Sequence, residues 1–172
     1  MAAHKYRHLI KKLDFFEDSD DGLLFAFIVN LRPYIVTPGQ MLYFDSEVSK
    51  GMFIIHKGIV ELFNNRDKML YEKLYEEDYF SLETLFFKTA RNWCTAIARG
   101  YTDLTILPID AFYMIIYDFP KEGERMRQLS LKRIDRFGIF TNAEIFRLIK
   151  LHSSRSVGVH YEEQFTADNI II

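Results

Sequence analysis

The chain of 172 residues contains one cysteine, Cys94, so an intrachain disulfide is excluded and a reducing compartment is the simplest setting. Long apolar runs are also missing. The longest, such as Leu23 to Val29, fall far below the ~18–20 residues that a membrane span needs. The N-terminus lacks the uninterrupted apolar core of a signal peptide. Charge of one sign is not in excess: the formal net charge is −2 and the pI about 6.2, which gives no electrostatic case for a nucleic-acid partner. There are no internal repeats and no low-complexity tracts. A catalytic constellation is absent as well. Ser81 and Thr84 have no histidine near them in sequence, and Cys94, read as part of a strand, is expected to be a small buried hydrophobe rather than a nucleophile. No enzyme activity is expected. What the chain does have is apolar bulk, 49% hydrophobic and 16% aromatic. That suffices for one domain with extensions and a sizeable core, the cytosolic piece of a longer protein.

Taken in order, Tyr6 to Leu13 reads as a helix with Leu9, Ile10 and Leu13 on one side. His4 and His8, four apart, fall on one helical face. Two neutral ligands with no carboxylate or cysteine beside them make a weak metal site, so surface histidines are the plainer reading and no metal is expected. Asp14 to Glu17 is a connector. Asp20 or Asp21 caps a helix bearing Leu23, Leu24, Phe27, Ile28 and Leu31, which Pro33 ends. Short strands separated by turns follow. Pro38-Gly39 suits a type II turn, and His56-Lys57-Gly58 a hairpin turn, with His56 as a turn residue. Glu76-Glu77-Asp78 reads as a solvated turn without calcium-loop spacing. Trp93 to Ala98 and Tyr101 to Leu107 form the last hairpin, around Arg99-Gly100. Helices resume with Asp110 as a cap, stop at Pro120 and restart there. Met126, Leu129, Arg133, Ile134 and Phe137 share one face, and Gly138 ends that helix. Thr141 and Glu144 make a capping box for a short helix to about His152, and the end from Val159 to Ile172 alternates enough to pair as a strand or to remain loose. The fold class expected is α+β: an antiparallel eight-stranded β-roll, jelly-roll-like, flanked by N-terminal helices and two C-terminal helices.

The chain is organised around Asp78 to Leu107. An aromatic strand end, Asp78-Tyr79-Phe80, leads into a tight polar turn and a short helical run. Arg91-Asn92-Trp93-Cys94 then introduces the returning strand. Such a segment can present backbone N–H groups, a carboxylate and a guanidinium to an anion. It resembles the phosphate-binding cassette of cyclic nucleotide-binding domains. Pro38-Gly39, the hairpin Lys50 to Gly58 and the exit strand Tyr101-Thr102-Asp103-Leu104 resemble the same family. Lys132-Arg133-Ile134-Asp135-Arg136-Phe137-Gly138 is similar to the lid helix of hyperpolarization-activated, cyclic nucleotide-gated (HCN) channels. The resemblance divides the chain into the end of a helical linker (1–13), a cyclic nucleotide-binding-like domain (14–140) and a C-terminal tail (141–172).

In binding members of the family the cassette reads Phe-Gly-Glu and later Arg-Thr-Ala or Arg-Arg-Ala. There the glycine admits the phosphate, the glutamate holds the ribose and the arginine pairs with the cyclic phosphate. Here the glycine is Ser81, and the run from Tyr79 to Tyr101 is one residue longer than in HCN channels, so two registers are open. Without an early insertion Arg91 keeps the phosphate role and Leu82 replaces the acid. With it Glu83 is the acid, Asn92 stands for the arginine, and Trp93 and Cys94 replace the small pair lining the pocket. The nucleotide pocket, degenerate by this reading, comprises Phe80, Ser81, Leu82, Glu83, Thr84, Arg91, Asn92, Trp93, Cys94, Arg133 and Phe137.

The resemblance implies a regulatory domain of an HCN-, CNG- or KCNH-like voltage-gated cation channel in which cyclic nucleotide binding is weakened or lost. No cofactor is implied, with cAMP or cGMP at most a weak ligand. The implied partners are the linker and pore of a homotetrameric channel, the isolated domain being a monomer. The implied place is the cytoplasmic side of the plasma membrane. The alternative is a working cAMP or cGMP sensor of such a channel or of an ion exchanger.

Overall fold

The computed structural model of the chain describes residues 2–17, 19–64, 66, 68–87 and 89–137, with side chains from Tyr6 onward. The expected boundary at Gly138, the capping box and the tail lie outside the described residues, as does the side chain of His4.

Two helices come first, α1 (Ala2–Ile10) and α2 (Asp21–Asn30), joined by a single 3₁₀ turn at Asp14–Phe16. Asp20 caps α2 through its carboxylate, which accepts the N–H of Gly22 at 2.5 Å. α2 ends at Asn30 rather than at Pro33. The proline is the second residue of the next strand, a position open to it because that strand lies at a sheet edge.

Eight strands then form two four-stranded antiparallel sheets. They are β1 (Arg32–Val36), β2 (Met41–Tyr43), β3 (Gly51–Lys57), β4 (Val60–Phe63), β5 (Leu70–Leu74), β6 (Tyr79–Phe80), β7 (Thr95–Ala98) and β8 (Thr102–Pro108). One sheet has the order β1-β8-β3-β6, the other β2-β7-β4-β5. The expected α+β roll is therefore the observed fold. Pro38 and Gly39 form the turn between β1 and β2. The N–H of Gln40 returns to the carbonyl of Thr37 at 3.1 Å, and Gly39 takes the positive φ of 78° required at the third turn position.

β3 is buried on both faces, and the two faces serve different cores. Met52 and Ile54 join the helices and the 3₁₀ turn in one apolar cluster, while Phe53 and Ile55 join the interior of the roll. β8 divides in the same way, with Leu107 on the helical side and Leu104 and Ile106 inside. Period-two alternation thus welds the roll to its helical cover.

Short helix α3 (Leu82–Leu85) interrupts the strands between β6 and β7, and α4 (Ile109–Asp118) and α5 (Pro120–Phe137) close the described chain. Pro120 opens α5, where its missing N–H costs nothing. Asp110 does not cap α4. Pro108 holds the capping position and Asp110 sits in the first turn, where its charge suits the helix dipole.

His56 is also placed differently from the sequence reading. It is buried within β3, at the register shift between Ile55 and Lys57. Its Nε2 lies 2.9 Å from the hydroxyl of Thr105 and its ring 4.1 Å from that of Tyr6 on α1. The irregular register turns the ring under the N-terminal helix, which a hairpin signal in sequence does not reveal. Among the described residues, no helix is long and apolar enough to cross a membrane, and no group of three or more His, Cys, Asp or Glu side chains is placed to hold a metal.

Candidate functional site

The cassette begins where β6 ends. Phe80 points into the roll, stacked on Phe53, while Leu82 and Leu85 point into the helical cluster. The chain must reverse its facing within one residue, and it does so at Ser81, which adopts the left-handed conformation with φ 67°. Glycine reaches that region freely; a residue with a Cβ is strained there by about 1–2 kcal/mol. The serine hydroxyl recovers part of this by donating to the Tyr43 hydroxyl at 2.8 Å.

Glu83, the second residue of α3, is only 1% exposed. Its Oε1 accepts the indole N–H of Trp93 at 3.2 Å, and its Oε2 has no hydrogen-bond partner among the described residues. Trp93 itself lies between rings, 5.2 Å from Tyr71 on β5 and 4.9 Å from Phe137 on α5. Phe87 and Ile134 complete this small apolar group. The indole thus joins Glu83 of α3 to Phe137 of α5 within the protein itself.

Asn92 and Arg91 are placed oppositely. The backbone of 90–92 runs against the loop at 46–49: Ser46 N–H bonds the Asn92 carbonyl at 2.7 Å, Asn92 N–H the Glu47 carbonyl at 2.8 Å, and Ser49 N–H the Ala90 carbonyl at 2.7 Å. In an extended segment neighbouring side chains face opposite ways. Asn92 is accordingly 3% exposed, with neither amide atom hydrogen-bonded among the described residues. Arg91 is exposed, its guanidinium donating to the Ser46 carbonyl at 2.8 Å. Of the candidate residues, Arg91 is therefore the one the structure sets apart from the others. Thr84 is buried beside Glu83 on α3. Cys94 is not in a strand: it occupies a bend just before β7, 4.0 Å from the Tyr43 hydroxyl. Burial, followed by the charge of Glu83, pushes its thiol pKa well up, so it is a poor nucleophile.

α5 reaches the site with two arginines. Arg133 lies 3.6 Å from the carboxylate of Glu72 on β5 and 4.6 Å above the ring of Tyr79. Arg136 meets the other oxygen of Glu72 at 2.5 Å. Burial opposes the charge on Arg133, but Glu83, Tyr79 and Glu72 together outweigh it and hold the group above the ordinary arginine pKa. Glu72 thus receives two guanidinium groups from α5.

Glu72, Tyr71 and Tyr43 belong to this arrangement and were not singled out from sequence, while Tyr79 was read only as part of the aromatic strand end. Each contacts a residue many positions away: Tyr43 meets Ser81, and Glu72 meets Arg136. A buried tyrosine needs a partner for its hydroxyl, and Tyr43 and Tyr79 find theirs in Ser81 and Asp14.

The geometry can be set beside known proteins. The family described as cyclic nucleotide-binding domain matches residues 35–118. The chain is 24% identical over 166 residues to a potassium/sodium hyperpolarization-activated cyclic nucleotide-gated channel 4 of Oryctolagus cuniculus, covering 96% of this chain and 14% of that protein. It is 27% identical over 141 residues to the cyclic nucleotide-gated channel alpha-3 of Homo sapiens, covering 77% and 20%. The chain therefore spans a small fraction of the length of these relatives. Among solved structures, the C-linker/CNBHD of zELK channels, crystallized in the presence of cAMP, superposes with a TM-score of 0.60 at 15% identity, over 69% of this chain and 60% of that one. A cAMP-bound PfPKA-R superposes with a TM-score of 0.65 at 16% identity, over 81% and 49%. Both likenesses are of fold.

Proposed function

We propose, from the premise that this chain carries a cyclic nucleotide-binding domain related to those of HCN and CNG channels, that it is a non-catalytic regulatory domain of such a channel. In this reading cyclic nucleotide binding is weakened or lost, and the docking of α5 is coupled to the gate. The domain then lies on the cytoplasmic side of the plasma membrane, within a homotetramer held mainly by the rest of the channel. The isolated chain is mostly monomeric at micromolar concentration; light scattering showing a stable tetramer would contradict that.

The observation that carries the reading is the placement of Trp93. Its N–H takes one oxygen of the cassette acid, and its ring packs on Phe137 of the lid helix. A ligand shifts a conformational equilibrium only by the difference between its affinities for the two states. With the acid engaged by an indole and the arginine of the family cassette replaced by Asn92, a cyclic nucleotide has little left to favour the docked state. Losing one charge-assisted hydrogen bond of about 1.5–3 kcal/mol weakens binding by one to two decades.

Calorimetric titration with cAMP and with cGMP tests this. The expected result is no binding at physiological nucleotide concentrations and no change in Trp93 fluorescence. Low-micromolar binding of either nucleotide would instead establish the sensor reading.

A further inference from the structure

We infer that the outward face of α2 and α4 is a docking surface, and that its partner is a basic amphipathic helix. The inference stands apart from the reading above, because neither helix carries a residue of the cassette.

α2 has no polar side. After the acid at its start it is apolar from Gly22 to Val29, and a helix apolar all round is ordinarily buried all round. Here only one side is buried. Leu23, Leu24 and Phe27 enter the helical cluster, whereas Phe25 and Val29, one turn apart, face the other way. α4 repeats the arrangement, with Phe112, Ile115 and Ile116 inward and Met114 and Tyr117 outward. The four outward side chains are between 53% and 68% exposed. The helices lie against each other and both rest on β8. The first turn of α2 meets the end of α4, where a side chain begun at Gly22 would come within 3.5 Å of the Phe119 ring. Phe25 is one turn on from Gly22 and Tyr117 is two residues before Phe119, so the two outward faces adjoin there. Neighbouring exposed apolar side chains of this size mark an interaction site.

Charge selects the occupant. The charged residues of the two helices are Asp21, Asp110 and Asp118, all exposed, and neither helix contains Lys, Arg or His. Arg7 and Lys11 answer Asp21 at 3.7 and 4.0 Å, and Arg32 and Lys121 lie beyond the helix ends. Helices that lie on anionic lipid carry cations on their polar face, and here that place is held by acids. A second copy docked through the same face about a two-fold axis would set acid against acid. A helix with an apolar stripe flanked by Lys or Arg meets both the apolar side chains and the acids.

The test is fluorescence anisotropy of a labelled amphipathic peptide of leucine and lysine, about four helical turns long, titrated with the full chain. A peptide with glutamate in place of lysine is the control. The leucine–lysine peptide is expected to bind and the control not to. Phe25→Ser/Met114→Ser should weaken binding at least about tenfold, as removal of central apolar anchors does. Asp110→Asn/Asp118→Asn should weaken it less, by about threefold, and reduce its salt dependence. All four positions are exposed, so the fold is retained, which circular dichroism checks. Equal binding of the two peptides, binding indifferent to Phe25→Ser/Met114→Ser, or no binding overturns the inference. So does a result in which that double substitution instead abolishes self-association in light scattering, or adsorption to vesicles of phosphatidylcholine and phosphatidylserine.

Discussion

The interior of the roll and the seam beneath α5 are built from different materials. Inside the roll, Phe53 and Phe80 stack at 5.1 Å with their planes 9° apart, surrounded by Val36, Val60, Leu62, Ala96 and Leu104. In the seam, Glu83, Asn92 and Arg133 each keep at least one buried polar atom without a hydrogen-bond partner among the described residues. A buried unpartnered polar group costs roughly 1–3 kcal/mol, whereas a buried aromatic side chain contributes about as much in the opposite direction. Apolar packing is therefore concentrated in the roll, while the seam holds the unpartnered polar atoms of Glu83, Asn92 and Arg133.

The largest effect should come from the roll. Phe53→Ala is expected to destabilise the protein by about 3–5 kcal/mol in a urea titration. Trp93→Ala, removing a half-buried ring from the seam, should cost clearly less and instead make α5 susceptible to limited proteolysis. Equal losses would erase the contrast between the two regions.

Next in size is a gain rather than a loss. In the register that sets Asn92 at the arginine position, Trp93→Thr combined with Asn92→Arg restores the small residue and the cation of the family cassette. By calorimetry it should tighten cAMP binding by about one to two decades. If the unaltered domain already binds in the low micromolar range and Arg91→Ala abolishes it, Arg91 is the phosphate ligand and the seam is a working pocket.

A smaller effect separates strain from hydrogen bonding at the entrance to the cassette. Ser81→Ala keeps the left-handed backbone and loses the bond to Tyr43, whereas Ser81→Gly loses the bond but relieves the strain. Alanine should be the less stable of the two by about 1 kcal/mol in thermal unfolding.

The smallest effect lies outside both regions, on the outer face of the second sheet. There Arg99, and after it Lys73, bond the Glu61 carboxylate and lower its pKa. A lowered folded-state pKa means that the contribution is present above the unfolded value of about 4.3 and is lost as pH falls through the folded value. Glu61→Gln should remove this part of the acid sensitivity of the melting temperature and change the unfolding free energy at neutral pH by no more than about 1 kcal/mol.

Much of the roll was legible because its signals are local. Pro38-Gly39 specifies a turn through one proline φ and one positive glycine φ, and Pro120 opens a helix because that position needs no N–H. The apolar runs beside the glycine turns at Gly58 and Gly100 announced the strands β3 and β8. His56, Cys94 and Asp110 were misplaced because a bulge, a bend and a shifted cap move a residue by one position without altering the apolar pattern around it.

The cassette was legible only in part, and for a different reason. Local sequence indicated a tight polar turn at Ser81 and a short helix after it, and the family resemblance offered Glu83 or Leu82 at the acid position and Arg91 or Asn92 at the cation position. It left the choice open because the two registers are equally compatible with the apolar pattern. Pairing of residues 90–92 with the loop at 46–49 buries Asn92 and turns Arg91 outward. The contacts of Trp93 with Tyr71 and Phe137, and of Glu72 with Arg133 and Arg136, join segments 22 to 64 residues apart. Helix and strand periodicities report which way a side chain faces relative to its own element, but not which distant element it meets. That second fact depends on packing, and packing is set only when the whole chain has closed.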